Sequence, residues 1–95
     1  CVVIKDLYPQ APTHVLIIPR KPIPMLSEAA EDDQALLGHL LIVAGKVADQ
    51  LGVGDAFRLV INNGEGGGQT VFHLHLHILA SGDMKEGDLA AGLSR

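Results

Sequence analysis

The hydrophobic residues of this chain fall into four short runs and one helical stripe. Two β-branched runs, residues 2–7 and 14–19, flank a segment that contains Pro9 and Pro12. Proline cannot continue a helix or a central strand, so the runs predict two strands that a turn joins in antiparallel fashion. Apolar residues then recur every three or four positions, which predicts an amphipathic helix. The members of this stripe are Leu36, Leu37, Leu40, Leu41, Ala44, Val47, Ala48 and Leu51.

Local signals bound the helix and predict two more strands. Ser27, followed by the acidic run 31–33, predicts the start of the helix, and Gly52 predicts its end. Residues 57–62 alternate apolar and polar side chains, and residues 70–80 form the last regular run. The order predicts an α+β fold in which one main helix packs on an antiparallel sheet. We expect the domain to span residues 1–80, with a tail over 81–95.

Composition narrows the class of protein. The 95 residues carry a net charge of -4, which argues against nucleic acid as the main partner. The single cysteine excludes an internal disulfide framework and a Cys-x-x-Cys metal site. Because no apolar run has the length of a membrane span, we expect a soluble protein without a membrane partner. Val2 begins a strand at once, so we also expect an upstream segment that is missing from this sequence.

Three histidines at alternate positions are the first candidate chemistry. In a strand, His73, His75 and His77 would share an outward face, while Leu74, Leu76 and Ile78 would pack into the core. The first and third Cα atoms of such a row lie roughly 13 Å apart, too far to hold one ion well. We therefore predict no metal and no cofactor. A metal site completed from elsewhere and a solvated row of surface imidazoles remain open.

A glycine-rich loop precedes the histidines. Residues 62–70 read NNGEGGGQT, and glycines let backbone N–H groups approach a phosphate closely. The loop matches neither a Walker motif nor a dinucleotide fingerprint. Next to imidazoles, which are largely neutral at pH 7 and nucleophilic, it indicates covalent phosphoryl or nucleotidyl transfer.

The segment HLHLHIL after GGGQTVF, together with PQAPTHVLIIP and LGHL upstream, resembles the histidine triad family, and in particular its Hint branch. The resemblance implies an antiparallel five-stranded type of sheet, whose N-terminal helix and strand would precede Val2. It also implies a homodimer, in which the leucine-rich helix forms part of the contact. We expect a cytoplasmic location, with a mitochondrial one left open.

The resemblance further implies a purine nucleoside phosphoramidase, a hydrolase that cleaves the P–N bond of adenosine 5′-phosphoramidates. His75 would be the nucleophile that forms a nucleotidyl-histidine, His77 would hold a phosphate oxygen, and His73 would support them. Two alternatives stay open. One is a dinucleoside polyphosphate hydrolase, and the other is a catalytically weak module that binds purine nucleotides.

Matching positions imply the nucleotide contacts as well. The ribose would bind Asp6, the base would lie against Ile4 and Leu7, and the remaining contacts would come from Asn62, Gly68, Gln69 and Thr70. His14 and His39 also match family positions, and we expect both to be buried structural residues. Pro22 stands where many Hint proteins have a further histidine, so the proton for the leaving amine would have to come from His73 or water. The C-terminal sequence differs from that of many Hint proteins and has no tryptophan, so the resemblance does not imply which leaving group the substrate carries.

Overall fold

A computed structural model describes residues 1–81, and the predicted tail beyond Ser81 lies outside them. Within these residues the elements follow the predicted order. They are β1 (Val2–Lys5), β2 (Thr13–Ile18), α1 (Gln34–Gln50), β3 (Arg58–Val60) and β4 (Leu76–Ala80). The predicted α+β class, with one main helix and an antiparallel sheet, is confirmed, and the described sheet has four strands.

The sheet places β2 and β4 at its centre. Its order is β1-β2-β4-β3, and every neighbouring pair is antiparallel. Leu16 lies opposite His77, and His14 lies opposite Leu79. Because side chains alternate along a strand, these four residues share one face of the sheet.

The other face of β2 and β4 packs against α1 and forms the core. The buried core side chains are Val15, Ile17, Ile23, Leu40, Ala44, Leu74, Leu76 and Ile78. The predicted core positions of Leu74, Leu76 and Ile78 are therefore confirmed. Each valine, leucine or isoleucine side chain among them contributes about 1.5–3 kcal/mol when it is fully buried.

The last strand is shorter than predicted. It begins at Leu76 rather than near residue 70, so the prediction of a strand over 70–75 is wrong. The physical reason is that the segment before Leu76 bonds to the connector after β2 and not to a neighbouring strand. The backbone N–H of Leu74 donates to Ile23 O at 2.6 Å, and Ile23 lies in the connector that follows β2.

The helix begins later than predicted and ends as predicted. The backbone N–H of Ser27 donates to Asn63 Oδ1, and 3-10 turns precede α1, so Ser27 does not cap the helix. At the other end Gly52 has φ +78°, and the N–H of Val53 donates to Ala48 O at 2.9 Å. This is the glycine-dependent bond pattern that closes helix C-termini.

One side of α1 is open to solvent. Leu41 and Ile42 are 53% and 61% exposed, and Leu51 is also exposed, so the buried stripe is narrower than predicted. Within residues 1–81 no helix has the length and apolar character needed to cross a membrane.

Candidate active site

His77 and His14 meet on the sheet face that points away from α1. His77 is on β4 and His14 on the neighbouring strand β2, one diagonal step away in the register. His14 Nε2 lies 2.9 Å from His77 Nδ1, and the ring centroids are 5.2 Å apart. Both side chains are buried. A hydrogen bond between two buried imidazoles requires that one nitrogen carries a proton and the other does not.

The backbone of the turn before β2 decides which nitrogen is the donor. The N–H of Gln10 can only donate, and it lies 3.0 Å from His14 Nδ1. His14 Nδ1 is therefore the acceptor, which places the proton of the neutral ring on Nε2. Asp6 Oδ2, 3.4 Å from the same Nε2, favours a proton there, and Asp6 Oδ1 accepts the N–H of Tyr8 at 2.8 Å.

This chain of bonds fixes the tautomer of His77. Because His14 Nε2–H donates, His77 Nδ1 accepts, and the proton of a neutral His77 then sits on Nε2. A neutral imidazole with its proton on Nε2 is a hydrogen-bond donor. In this tautomer the donor atom of His77 is Nε2.

His75 has the opposite tautomer. Its Nδ1 lies 2.7 Å from the backbone carbonyl of His73, which can only accept, so Nδ1 carries the proton and Nε2 holds a lone pair. That Nε2 is buried and has no hydrogen-bond partner within residues 1–81. The rings of His75 and His77 have centroids 5.0 Å apart. A nucleophilic nitrogen and a donor nitrogen are therefore neighbours.

His73 is held outside the sheet. Its Nε2 lies 2.7 Å from the carbonyl of Pro19, so Nε2 is the donor and the ring is tied to the connector after β2. The expected outward row of three histidines on one strand is wrong, since His77 alone lies in β4. His75 and His77 are 6% and 0% exposed, which contradicts the alternative of a solvated row of surface imidazoles.

Comparison with known proteins identifies the family of this chain. The model of the HIT domain matches residues 1–84. The chain belongs to the HIT family. An uncharacterized HIT-like protein of Synechocystis is 67% identical over 79 residues, which are 83% of this chain and 69% of that protein.

Solved structures of HIT proteins share the fold. A HIT family hydrolase from Legionella pneumophila superposes with a TM-score of 0.85 at 45% identity, covering 88% of this chain and 76% of that one. A hypothetical histidine triad nucleotide-binding protein from Sulfolobus tokodaii superposes with a TM-score of 0.70 at 36% identity, covering 88% and 58%. The described sheet and helix are therefore the HIT fold.

The loop of this HIT domain uses its backbone donors internally. The N–H groups of Gly67 and Gln69 both donate to Gly64 O, and that of Gly68 donates to Glu65 O, each at 3.0 Å. These three groups close the loop on itself instead of pointing outward as the predicted phosphate cradle requires. Gly68 has φ +95°, a conformation that favours glycine.

Most of the other residues predicted to contact the nucleotide are more exposed than His75 and His77. Ile4 and Leu7 are exposed, Leu7 by 84%. Thr70 is exposed and Asn62 is half-buried. Their contacts to a nucleotide stay predictions. Asp6 is buried against His14, a position that its predicted contact with ribose did not indicate.

The structure places His14 and His39 in different environments. His14 is buried, as predicted, but it belongs to the site rather than to the scaffold alone. The signal that could have found it is the alternation of β2, which puts His14 on the face opposite the core residue Val15. His39 is exposed on α1, so its predicted burial is wrong.

The side chains that come close enough to hold a metal ion are not the row of three histidines considered in the sequence analysis. Asp6, His14 and His77 offer three ligand atoms that lie within 4.8 Å of one another, a donor set that suits zinc. Two of these atoms already share a proton across 2.9 Å. A metal would have to displace that proton, and the predicted absence of a metal stays a prediction.

An ion pair anchors the connector that carries Pro19 and Ile23. Lys21 Nζ donates to Asp33 Oδ1, and Asp33 Oδ2 accepts the N–H of Ala30 at 2.8 Å. The hydrogen bond from Lys21, followed by that from Ala30, lowers the pKa of Asp33, and the bond to Asp33 raises the pKa of Lys21. The connector is thereby fixed to the residues that lead into α1.

Proposed function

We propose that this HIT protein is a purine nucleoside phosphoramidase that works through a nucleotidyl-histidine intermediate on His75. The observation that carries the proposal is the state of His75. Its Nδ1–H is held by the carbonyl of His73 at 2.7 Å, and its buried Nε2 has no hydrogen-bond partner among the described residues. A lone pair fixed in this way has no competing hydrogen bond among the described residues, so it can attack a phosphorus atom that reaches the buried Nε2. The hydrolase named in the Legionella structure supports hydrolysis as the reaction class.

The first step transfers the nucleotide to the enzyme. Nε2 of His75 forms a bond to phosphorus while the P–N bond of the substrate breaks, and its electron pair leaves with the amine. His77 Nε2–H donates to a phosphate oxygen and stabilises the charge that gathers there. The amine takes a proton from water, because Pro22 has none to give and the Nε2 proton of His73 is engaged by Pro19 O.

The second step releases the product. Water attacks phosphorus, the bond from phosphorus to His75 Nε2 breaks, and Nε2 recovers its lone pair. The proton of the attacking water returns to solvent. The sum is one phosphoramidate and one water converted to a nucleoside monophosphate and an amine. The orientation of the His75 ring survives both steps, because its Nδ1–H keeps the carbonyl of His73 as acceptor.

The nucleotide contacts belong to this proposal. A histidine triad nucleotide-binding protein is among the structural neighbours, which supports a nucleotide as the ligand. We assign the base to Ile4 and Leu7, the ribose to Asp6, and the phosphate side to Asn62 and Thr70. The phosphate contacts expected from Gly68 and Gln69 are left out of this assignment, because the N–H groups of both residues are bonded within the loop. Exposed aliphatic side chains suit a purine face, whereas the buried Asp6 would have to open towards the ribose to accept from its hydroxyls.

We also propose a homodimer, and a cytoplasmic location, for the same reaction. The exposed Leu41 and Ile42 on α1 support an apolar contact between two copies. Light scattering of the native chain and of the double variant Leu41→Lys with Ile42→Lys tests the contact. We expect a dimer that becomes a monomer. A native chain that is already monomeric would contradict the dimer.

The experiment that tests the activity is hydrolysis of adenosine 5′-phosphoramidate by the native chain and by His75→Ala. His39→Ala, an exposed histidine on α1, is the matched control. We expect turnover and a trapped nucleotidyl adduct in the native chain and in the control, and neither in His75→Ala. Mass spectrometry of the quenched reaction detects the adduct.

The same assay separates the alternatives. Faster turnover of a dinucleoside polyphosphate than of the phosphoramidate would favour the polyphosphate hydrolase. Tight binding of AMP without turnover of either substrate would favour a nucleotide-binding module. Turnover that survives in His75→Ala would refute covalent catalysis at this residue.

A further inference from the structure

Gln69 is a buried polar side chain that the proposed chemistry does not use directly. It is 1% exposed and makes three hydrogen bonds with its carboxamide. Oε1 accepts the N–H of Gly64 at 2.8 Å. Nε2 donates to Pro24 O at 2.8 Å and to Val71 O at 2.9 Å.

These bonds join three separate stretches of backbone. Gly64 lies at the start of the glycine loop, Val71 lies just after it, and Pro24 lies in the connector between β2 and α1. The main chain of Gln69 adds a fourth bond, from its N–H to Gly64 O at 3.0 Å. One side chain therefore closes the loop and also attaches it to the connector.

The same connector holds the segment that leads from His73 to His75. His73 Nε2–H donates to Pro19 O, and the N–H of Leu74 donates to Ile23 O. The tautomer of His75 depends in turn on the carbonyl of His73. Residues 69–75 lie outside β4, so these bonds take the place of a sheet ladder.

We propose that Gln69 is a positioning residue that keeps His73 and His75 in the geometry needed for attack, an inference that rests on the proposed function. Glutamine suits this place because it offers one acceptor and two donors at the end of one side chain. Glutamate has the same size but, when ionised, offers no donor to the carbonyls of Pro24 and Val71. Methionine has a similar length and offers neither type of bond.

The test compares Gln69→Met and Gln69→Glu with the native chain, and uses Gln50→Met as the matched control. Gln50 is exposed at the end of α1 and touches none of the groups above. We expect kcat for the phosphoramidate to fall about tenfold to a hundredfold in both variants, a loss typical of a misplaced catalytic group. We expect KM to change less than threefold, because the nucleotide contacts remain. The control should keep the native kcat.

The pH profile separates positioning from a general loss of structure. Protonation returns one O–H donor to the carboxyl of Gln69→Glu. Because burial at this position raises the pKa of a carboxyl towards neutral pH, we expect the ratio of its kcat to the native kcat to rise as the pH falls from about 8 to about 5, while the ratio for Gln69→Met stays flat. If Gln69→Met does not fold, this profile of Gln69→Glu alone carries the test. Folded variants with native kcat, or a flat ratio for Gln69→Glu, would overturn the proposal.

A second readout does not depend on turnover. Nitrogen-15 shifts of the histidine side chains report which ring nitrogen carries the proton. We expect His75 to be a single Nδ1–H tautomer in the native chain and a mixture in Gln69→Met. If the native chain has no activity but these shifts behave as expected, the proposed function fails and the positioning role stands. Identical shifts in both proteins would remove the positioning role, whatever the activity.

Discussion

Two adjoining stretches of chain carry the three histidines, and they are held in different ways. Residues 76–80 lie in the sheet between β2 and β3, with a ladder of backbone bonds on both sides. Residues 69–75 pair with neither strand. The second stretch is held by the side chains of Gln69 and His73 and by the N–H of Leu74.

This difference gives the two stretches different roles, one in the stability of the fold and the other in the geometry of His75. The ladder and the core behind it hold the position of His77, and many residues share that task. The geometry of His75 depends on a few individual bonds, each of which a single substitution can remove. We therefore expect the loss of a core side chain in the first stretch to act mainly on the free energy of unfolding, and the loss of a polar side chain in the second stretch to act mainly on kcat.

The largest expected effect on folding comes from Ile78→Ala in β4. Ile78 is 0% exposed, and removing its side chain leaves a cavity in the core, so we expect a loss of about 2–5 kcal/mol in the free energy of unfolding. Phe72→Ala is the control from the second stretch. Phe72 is 50% exposed and should change stability by only about 0.5 kcal/mol. Urea denaturation measures both, and equal losses would break the comparison.

The next effect is on catalysis. His77→Ala removes the donor to the phosphate oxygen, and we expect kcat to fall about a hundredfold to a thousandfold, as for the loss of one donor at a developing oxyanion. Steady-state kinetics measure the loss, and the nucleotidyl adduct on His75 should still be detectable. A variant with native kcat would show that His77 does not act on the transition state.

A smaller effect follows from the network behind His77. His14→Phe keeps a buried ring but removes the Nε2–H that fixes the tautomer of His77. We expect kcat to fall about tenfold to a hundredfold, because the donor is then less well oriented. His39→Phe, at the exposed histidine of α1, should leave kcat unchanged. Equal losses in the two variants would mean that the bond between His14 and His77 has no role in turnover.

The smallest effect concerns the ion pair that anchors the connector. The bonds from Lys21 and Ala30 lower the pKa of Asp33 below its ordinary value of 3.8, so its contribution to stability is present above that pH and is lost as the pH falls through the lowered pKa. The pKa of Lys21 is raised, so the contribution of Lys21 to stability is present below the ordinary lysine pKa and is lost as the pH rises through the raised pKa. We therefore expect Asp33→Asn to lower Tm near neutral pH and to lose this difference in acid.

The control for the ion pair is Glu31→Gln, an exposed carboxylate in the same turn. Thermal unfolding followed between about pH 2 and pH 7 compares the two variants, and the window follows from the ordinary carboxyl pKa. A Tm difference for Asp33→Asn that persists unchanged at the acid end would contradict the ion pair as its cause.

Much of the fold could be predicted from local patterns. The stripe from Leu36 onwards predicted α1, Gly52 predicted its end, and the prolines predicted the turn between β1 and β2. The start of the helix could not be predicted, because Ser27 resembles a cap in sequence but its N–H bonds to Asn63, far along the chain. The site was predicted in part, since the alternation at 73, 75 and 77 pointed to the histidines but not to their environment.

The sequence by itself determined which residue types are available and which elements can form, because hydrophobic periodicity and turn residues act over a few positions. The tertiary structure decided the rest. The register of β2 against β4 brings His14 to His77, and the path of the connector draws His73 and His75 out of the ladder. Register and path depend on how β2, β4 and α1 pack together, and no pattern within one segment contains that information.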